Sequence, residues 1–157
     1  MKLRLFRNVI FAIVLQGLFA ASAFASTAEH AVQKAYENWC NAISTAHGDS
    51  HEIVKYYASD AILLPTLSPD ILFNRDGGGK HEYFVGLTSK PDIRCIPERL
   101  ITRLYGHMAI NSGFYRFSYT DESGHEKSIP ARFTFVYEKI GNRWMIVNHH
   151  SSVVPVA

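Results

Sequence analysis

From Ile93 to Val153 the chain reads as strand after strand, and that run limits the folds open to it. Four apolar-rich segments, at about 94–105, 108–120, 126–139 and 143–153, are separated by Gly106-His107, Asp121 to Gly124 and Gly141-Asn142. Turns this short join antiparallel neighbours, so a meander of long strands is expected. The upstream half is helical. Ser26-Thr27-Ala28-Glu29 has the S-x-x-E form of a capping box. After it Val32, Ala35, Tyr36, Trp39, Ala42, Ile43 and Ala46 recur at helical spacing, predicting a long amphipathic helix over 27–46. A second capping box at Asp49-Ser50-His51-Glu52 opens a short helix to about Ala58. Ala61 to Pro65 reads as a first strand and Ile71 to Asn74 as a short second one. A third short helix through Tyr83, Phe84 and Leu87 stops before Pro91. Helices first and strands after them make the fold class α+β.

The N-terminus adds an address. Lys2, Arg4 and Arg7 precede an apolar stretch from Val9 to Ala21, and Ala23-Phe24-Ala25 supplies small residues at a cleavage site. This is the pattern of a signal peptide over residues 1–25. The stretch is shorter than the roughly 20 residues of a membrane-spanning helix. The expected product is one domain, 26–157, periplasmic or secreted, with no membrane contact after cleavage. The full chain carries a net charge of +2, but three of its 16 basic residues lie in the signal segment; 13 then face 14 acids, a net of −1. No basic run remains to suggest nucleic acid. Cys40 and Cys95 are not a metal motif; a disulfide and two buried thiols are both open to them.

Strand alternation sorts the side chains. A two-residue turn at Gly141-Asn142 pairs Phe135 with Asn148 and Phe133 with His150. A four-residue turn at Asp121 to Gly124 pairs Arg116 with Ile129. One face then collects Phe114, Arg116, Ile129, Phe133, Phe135, Trp144, Ile146, Asn148 and His150, and as the more apolar it should meet the helices. The other collects Tyr115, Phe117, Tyr119, Arg132, Thr134, Val136, Val147 and His149, too aromatic for a purely solvated surface, which suggests a homodimer or a ring of dimers. A bulge would exchange the faces downstream of it.

The element order, together with ARFTFVYEKIGNRWMIVNHHSSVVP at residues 131–155, resembles the SnoaL-like branch of the cone-shaped nuclear-transport-factor-like superfamily. With GDSHEIVKYYASDAILLPTLS at 48–68, it is most similar to bacterial exported relatives of the calcium/calmodulin-dependent protein kinase II association domain. The resemblance covers about Trp39 to Pro155. It implies a long N-terminal helix and two short helices packed on a curved antiparallel sheet, around a pocket lined by arginines. Arg116, in SGFYRFSY, matches one pocket arginine and His150 a histidine of the last strand. Phe135 and Ser151 stand where two further arginines are expected, and Lys80 where the family has a histidine.

Chemistry follows from these positions. Arg116 on an inner face needs a partner, which is either a small carboxylate ligand held by its fork of donors or a helix carboxylate such as Glu37. Asn148, His150, Trp39 and Lys80 complete the expected ligand-binding set. His149 and His150 point to opposite faces, and the other histidines have no ligand spacing, so neither metal nor cofactor is expected. Gly77-Gly78-Gly79-Lys80 lacks the spacing of a phosphate loop. The leading expectation is a binding domain for a small anionic molecule. The rivals are a SnoaL-like isomerase, cyclase or hydrolase using His150 as general base, and an assembly module without ligand.

Overall fold

The computed structural model describes residues 27–73 and 78–155. The signal segment, its cleavage site, Ser26, Asn74 and Gly77 lie outside the described residues. Helix α1 spans 27–45. It is followed by α2 (His51–Val54), β1 (Tyr57–Leu64), α3 (Gly78–Thr88), β2 (Arg94–Tyr105), β3 (Met108–Thr120), β4 (Glu126–Ile140) and β5 (Arg143–Val153). The strands form one sheet in the order β1-β5-β4-β3-β2. The last four are an antiparallel meander, and β1 adds to β5 in parallel. The α+β class, the long helix and the four long strands stand as the sequence predicts. The second helix is shorter than expected, because Tyr57 and Ala58 already belong to β1. The short strand at 71–74 is reduced to one bridge between Leu63 and Leu72. The second capping box is not formed. The Ser50 hydroxyl bonds the His81 ring instead (2.8 Å), and Asp49 accepts from the amide of His51 (3.0 Å).

The apolar stripe of α1 covers one face of the sheet. Val32, Tyr36, Trp39 and Ile43 are buried against Tyr115, Phe117, Phe133, Phe135, Tyr137 and Ile146. The face assignments of β3 and of the end of β5 differ from the expected ones, for two reasons of one residue each. The β3–β4 loop has five residues, not four, so Thr120 pairs with Glu126 and Arg116 with Pro130. Asp121 organises it: its carboxylate accepts from the amides of Ser123 and His125 (both 2.9 Å). In β5 a bulge at Val147 makes Phe135 pair with His149 and Phe133 with Ser151. Tyr115, Phe117, His149 and Ser151 therefore turn inward, while Phe114, Arg116, Asn148 and His150 turn outward.

A third irregularity lies in β2, where Glu98 is the extra residue between Pro97 and Arg99. It brings the backbone of β2 down onto Gly113, where any Cβ would sit 1.8 Å from the Arg99 carbonyl oxygen. Only glycine fits there. On the inner side Cys40 of α1 and Cys95 of β2 form a disulfide, and the Cys95 amide donates to the Ser44 hydroxyl (3.0 Å). The bridge ties the covering helix to the far edge strand across 55 residues of chain. Replacing both cysteines by alanine should cost about 2–4 kcal/mol of stability, read as an earlier midpoint in denaturant unfolding; an unchanged midpoint would refute the structural role.

Candidate ligand-binding site

Between the helices and the sheet, polar atoms are embedded in an aromatic interior. The Trp39 indole, on α1, packs edge-on to Phe135 at 4.9 Å between ring centroids. Its Nε1–H donates to the Tyr57 hydroxyl on β1 (3.1 Å). That hydroxyl lies 2.7 Å from His149 Nδ1 on β5. Indole nitrogen can only donate, so the Tyr57 oxygen accepts from it and is shared with His149. His149 Nε2 is buried with no partner among the described residues, as are the Tyr36 and Tyr137 hydroxyls. Orphaned buried polar atoms of this kind are rare in folded chains.

A second cluster lies near the first. The Tyr115 hydroxyl meets Ser151 Oγ at 2.5 Å, and Ser151 Oγ also bonds the Thr66 hydroxyl. Thr66 is the link to the outside, for it also lines a cleft of about 370 Å³ between α3 and the β3–β4 hairpin. Tyr83, Leu87, Phe117 and Ile129 give this cleft apolar walls, and Glu82 and Lys90 bring opposite charges to it. The Lys90 ammonium sits 4.7 Å above the Tyr119 ring.

Burial makes the interior a place without charge, apart from Lys80. It pushes the Tyr115 phenol up to about 12, against the opposing bonds from Ser151 and Thr66. It also raises Tyr36, Tyr57, Tyr83 and Tyr137. The same desolvation, with the neighbouring His150 adding to it, holds His149 well below the ordinary histidine value. Lys80 is buried and donates to the Ala61 carbonyl (2.8 Å). Burial lowers its pKa, opposed by the charge of Asp60.

Of the five residues expected to bind ligand, the structure brings Trp39 and Lys80 to the interior. The other three lie elsewhere. Arg116 is on the outer face with its side chain 45% exposed, and both Nε (3.0 Å) and a terminal nitrogen bond Glu98 of the β2 bulge. Its partner in the fold is Glu98 and not Glu37, which pairs with Lys34. Asn148 is half-buried on the outer face beside Val136. His150 is exposed and lines a recess of about 280 Å³ that Asp70 also lines, with no hydrogen bond between the two. The interior residues missed by the sequence reading are Tyr57, Thr66, Tyr115, His149 and Ser151. A signal for some of them was present: a face carrying Tyr115, Phe117 and Tyr119 is the better candidate for burial than one carrying Arg116. Among the described residues no cluster of three metal-ligating side chains occurs.

Residues 28–155 match the family model of the calcium/calmodulin dependent protein kinase II association domain. A solved protein from Xanthomonas campestris assigned to the same association-domain family is similar at 34% identity, with a TM-score of 0.72 over 80% of this chain and 87% of that one. A nuclear transport factor 2-like superfamily protein from Salmonella enterica shares 14% identity with a TM-score of 0.72, over 85% of this chain and 95% of that one. A nuclear transport factor 2-like protein with a cystatin-like fold from Novosphingobium aromaticivorans shares 9%, with a TM-score of 0.73 over 88% and 90%. The last two likenesses speak for fold alone. A comparison with curated proteins finds no match.

The state of His149 has a measurable consequence. The unfolded chain takes up a proton at this residue near pH 6.5, whereas the folded chain does so only well below that. Below pH 6.5 the unfolded state thus binds more protons, and stability falls with pH by up to about 1.4 kcal/mol per unit. His149→Gln should flatten this decline between pH 6.5 and about 5, measured by denaturant unfolding at each pH. An equal slope in both proteins would refute the buried neutral imidazole.

Proposed function

This chain belongs to the calcium/calmodulin dependent protein kinase II association domain family, and from that premise we propose that it is an exported domain that binds a small molecule in the cleft beside α3. The nuclear transport factor 2-like fold often binds small molecules. The observation that carries the reading is the double position of Thr66. It lines the cleft and also bonds Ser151, whose hydroxyl meets that of Tyr115. A ligand with an apolar body fits the walls, and the Thr66 side chain offers it a hydrogen-bonding group. The carboxylate preference first attached to Arg116 passes to Lys90, which has no ion-pair partner among the described residues, although Glu82 shares the cleft. Export rests on the signal segment, and a disulfide suits an oxidising compartment.

A catalytic role for His150 has little support in this geometry, since that residue is on the outer face. His149 is the interior histidine, but one of its ring nitrogens is occupied by Tyr57 and burial holds the ring neutral.

Gly86 offers a clean test. It lines the cleft from α3, and a Cβ placed on it meets nothing within 4 Å. Gly86→Phe should fill the cleft without cost to the fold, since glycine is a poor helix residue. Mass spectrometry of protein purified natively from its own cell envelope should find a co-purifying small molecule with wild type and lose it with Gly86→Phe. Equal recovery with both proteins would exclude the cleft.

Association is proposed through the outer sheet face, although two of its expected aromatics, Tyr115 and Phe117, belong to the core. Ile101, Tyr105, Ile110 and Phe114 are exposed there in their place, and symmetric pairing is the common way to cover such a patch. Light scattering at tens of micromolar should give a dimer or a ring of dimers for wild type, and Ile110→Glu should shift it towards monomer. A monomeric wild type would overturn this.

A further inference from the structure

A groove at the opposite end of β4 from the cleft has a different chemistry. It encloses about 410 Å³ between the N-terminal half of α1, the end of α2 and the β4–β5 turn. Lys34, Lys55 and Arg143 line it, and no Asp or Glu does. Its apolar wall is Ala31 and Ala35 of α1 together with Tyr56 and Trp144. Lys139 adds a fourth cation nearby, 6.0 Å from the Trp144 ring centroid.

The cations are not equally engaged. Lys34 is paired with Glu37 (3.1 Å) and Lys55 with Glu52 (2.5 Å), both at the surface. Arg143 is different. One terminal nitrogen donates to the Lys55 carbonyl (2.7 Å) and contacts the Met145 sulfur (3.1 Å), and no carboxylate lies within ion-pair distance among the described residues. The carbonyl bond holds the planar guanidinium at the groove, and its Nε and second terminal nitrogen have no acceptor among the described residues. Lys55, kept charged mainly by Glu52, feels the like charge of Arg143. Two neighbouring cations beside an aromatic wall favour an anion between them, and guanidinium takes a carboxylate through two parallel bonds.

We propose that this groove is a second binding site, taking a small carboxylate with an apolar or aromatic body, with Arg143 holding the carboxylate and Tyr56 and Trp144 the body. The volume is within the range of small-molecule sites. The site is independent of the cleft, so the two readings stand or fall separately.

The test uses phenylacetate as probe, with phenylacetamide and inorganic phosphate as controls, titrated into the mature protein and followed by backbone amide shifts. Phenylacetate should move the amides of Tyr56 and of Asn142 to Met145 saturably. Phenylacetamide should bind about tenfold or more weakly for want of the charge, and phosphate should bind more weakly for want of the ring. Arg143→Ala should weaken phenylacetate about ten- to hundredfold. Arg143→Gln, which keeps a donor for the Lys55 carbonyl, should lose a similar factor with the fold intact, while Gly86→Phe should leave the shifts unchanged. The proposal is overturned if wild type shows no saturable shift at the groove, if the amide or phosphate binds as well as phenylacetate, or if both Arg143 variants bind like wild type. Shifts confined to Thr66, Tyr83 and Leu87 would also overturn it, because the probe would then be in the cleft.

Discussion

The indole of Trp39 sits where the covering helix, the sheet and the first strand meet. Its ring lies within 4.9–6.4 Å, centroid to centroid, of Phe135, His149, Tyr115 and Tyr36. A buried N–H that found no acceptor there would cost about 1–3 kcal/mol. Tyr57 supplies the acceptor, and its hydroxyl is bonded in turn to His149 Nδ1. One donor-only group on α1 is thereby linked to a phenol on β1 and a histidine on β5. Helix, first strand and last strand share one hydrogen-bonded chain, and the Cys40–Cys95 bridge, at the next residue of the helix, ties it to β2 as well.

The elements themselves were legible because their signals are long. Seven apolar residues at helical spacing define α1, and strands of eleven to fifteen residues between short turns define the meander. The faces were less legible, since a period of two loses its phase on a single insertion. Asp121 adds one residue to its loop by capping two amides, and Val147 adds one to β5 by bulging. Neither event alters composition or the placing of a strand. Each reverses inside and outside beyond it. Arg116 and His150 were assigned to the interior for that reason, and Tyr115 and His149 to the exterior. The hydroxyl cluster could not be anticipated, because Thr66 and Ser151 are 85 residues apart and meet only through tertiary packing.

Arg116 also shows how a charge is accommodated once the face is reversed. The bulge at Glu98 places a carboxylate beside it on the outer sheet, where both groups keep partial contact with water. Such a pair contributes little to stability. The arginine thus needs no ligand to explain it. The same bulge presses the Arg99 carbonyl against Gly113, so one irregularity of β2 serves both the outer ion pair and the close approach of two strands.

Neutral and charged groups are separated between the interior and the rim of the cleft. In the interior, burial keeps five phenols protonated and one imidazole neutral, and the buried Lys80 is already bonded to a carbonyl. An anionic group brought that deep would lose its hydration without gaining a fully available counter-charge, a balance that disfavours burial. A neutral oxygen meets no such obstacle at Thr66, whose side chain lines the cleft. The charged end of an amphiphilic ligand is therefore better left at the rim, where Lys90 is partly solvated. In the proposed function, the cleft takes a molecule with its apolar body inward and any carboxylate outward.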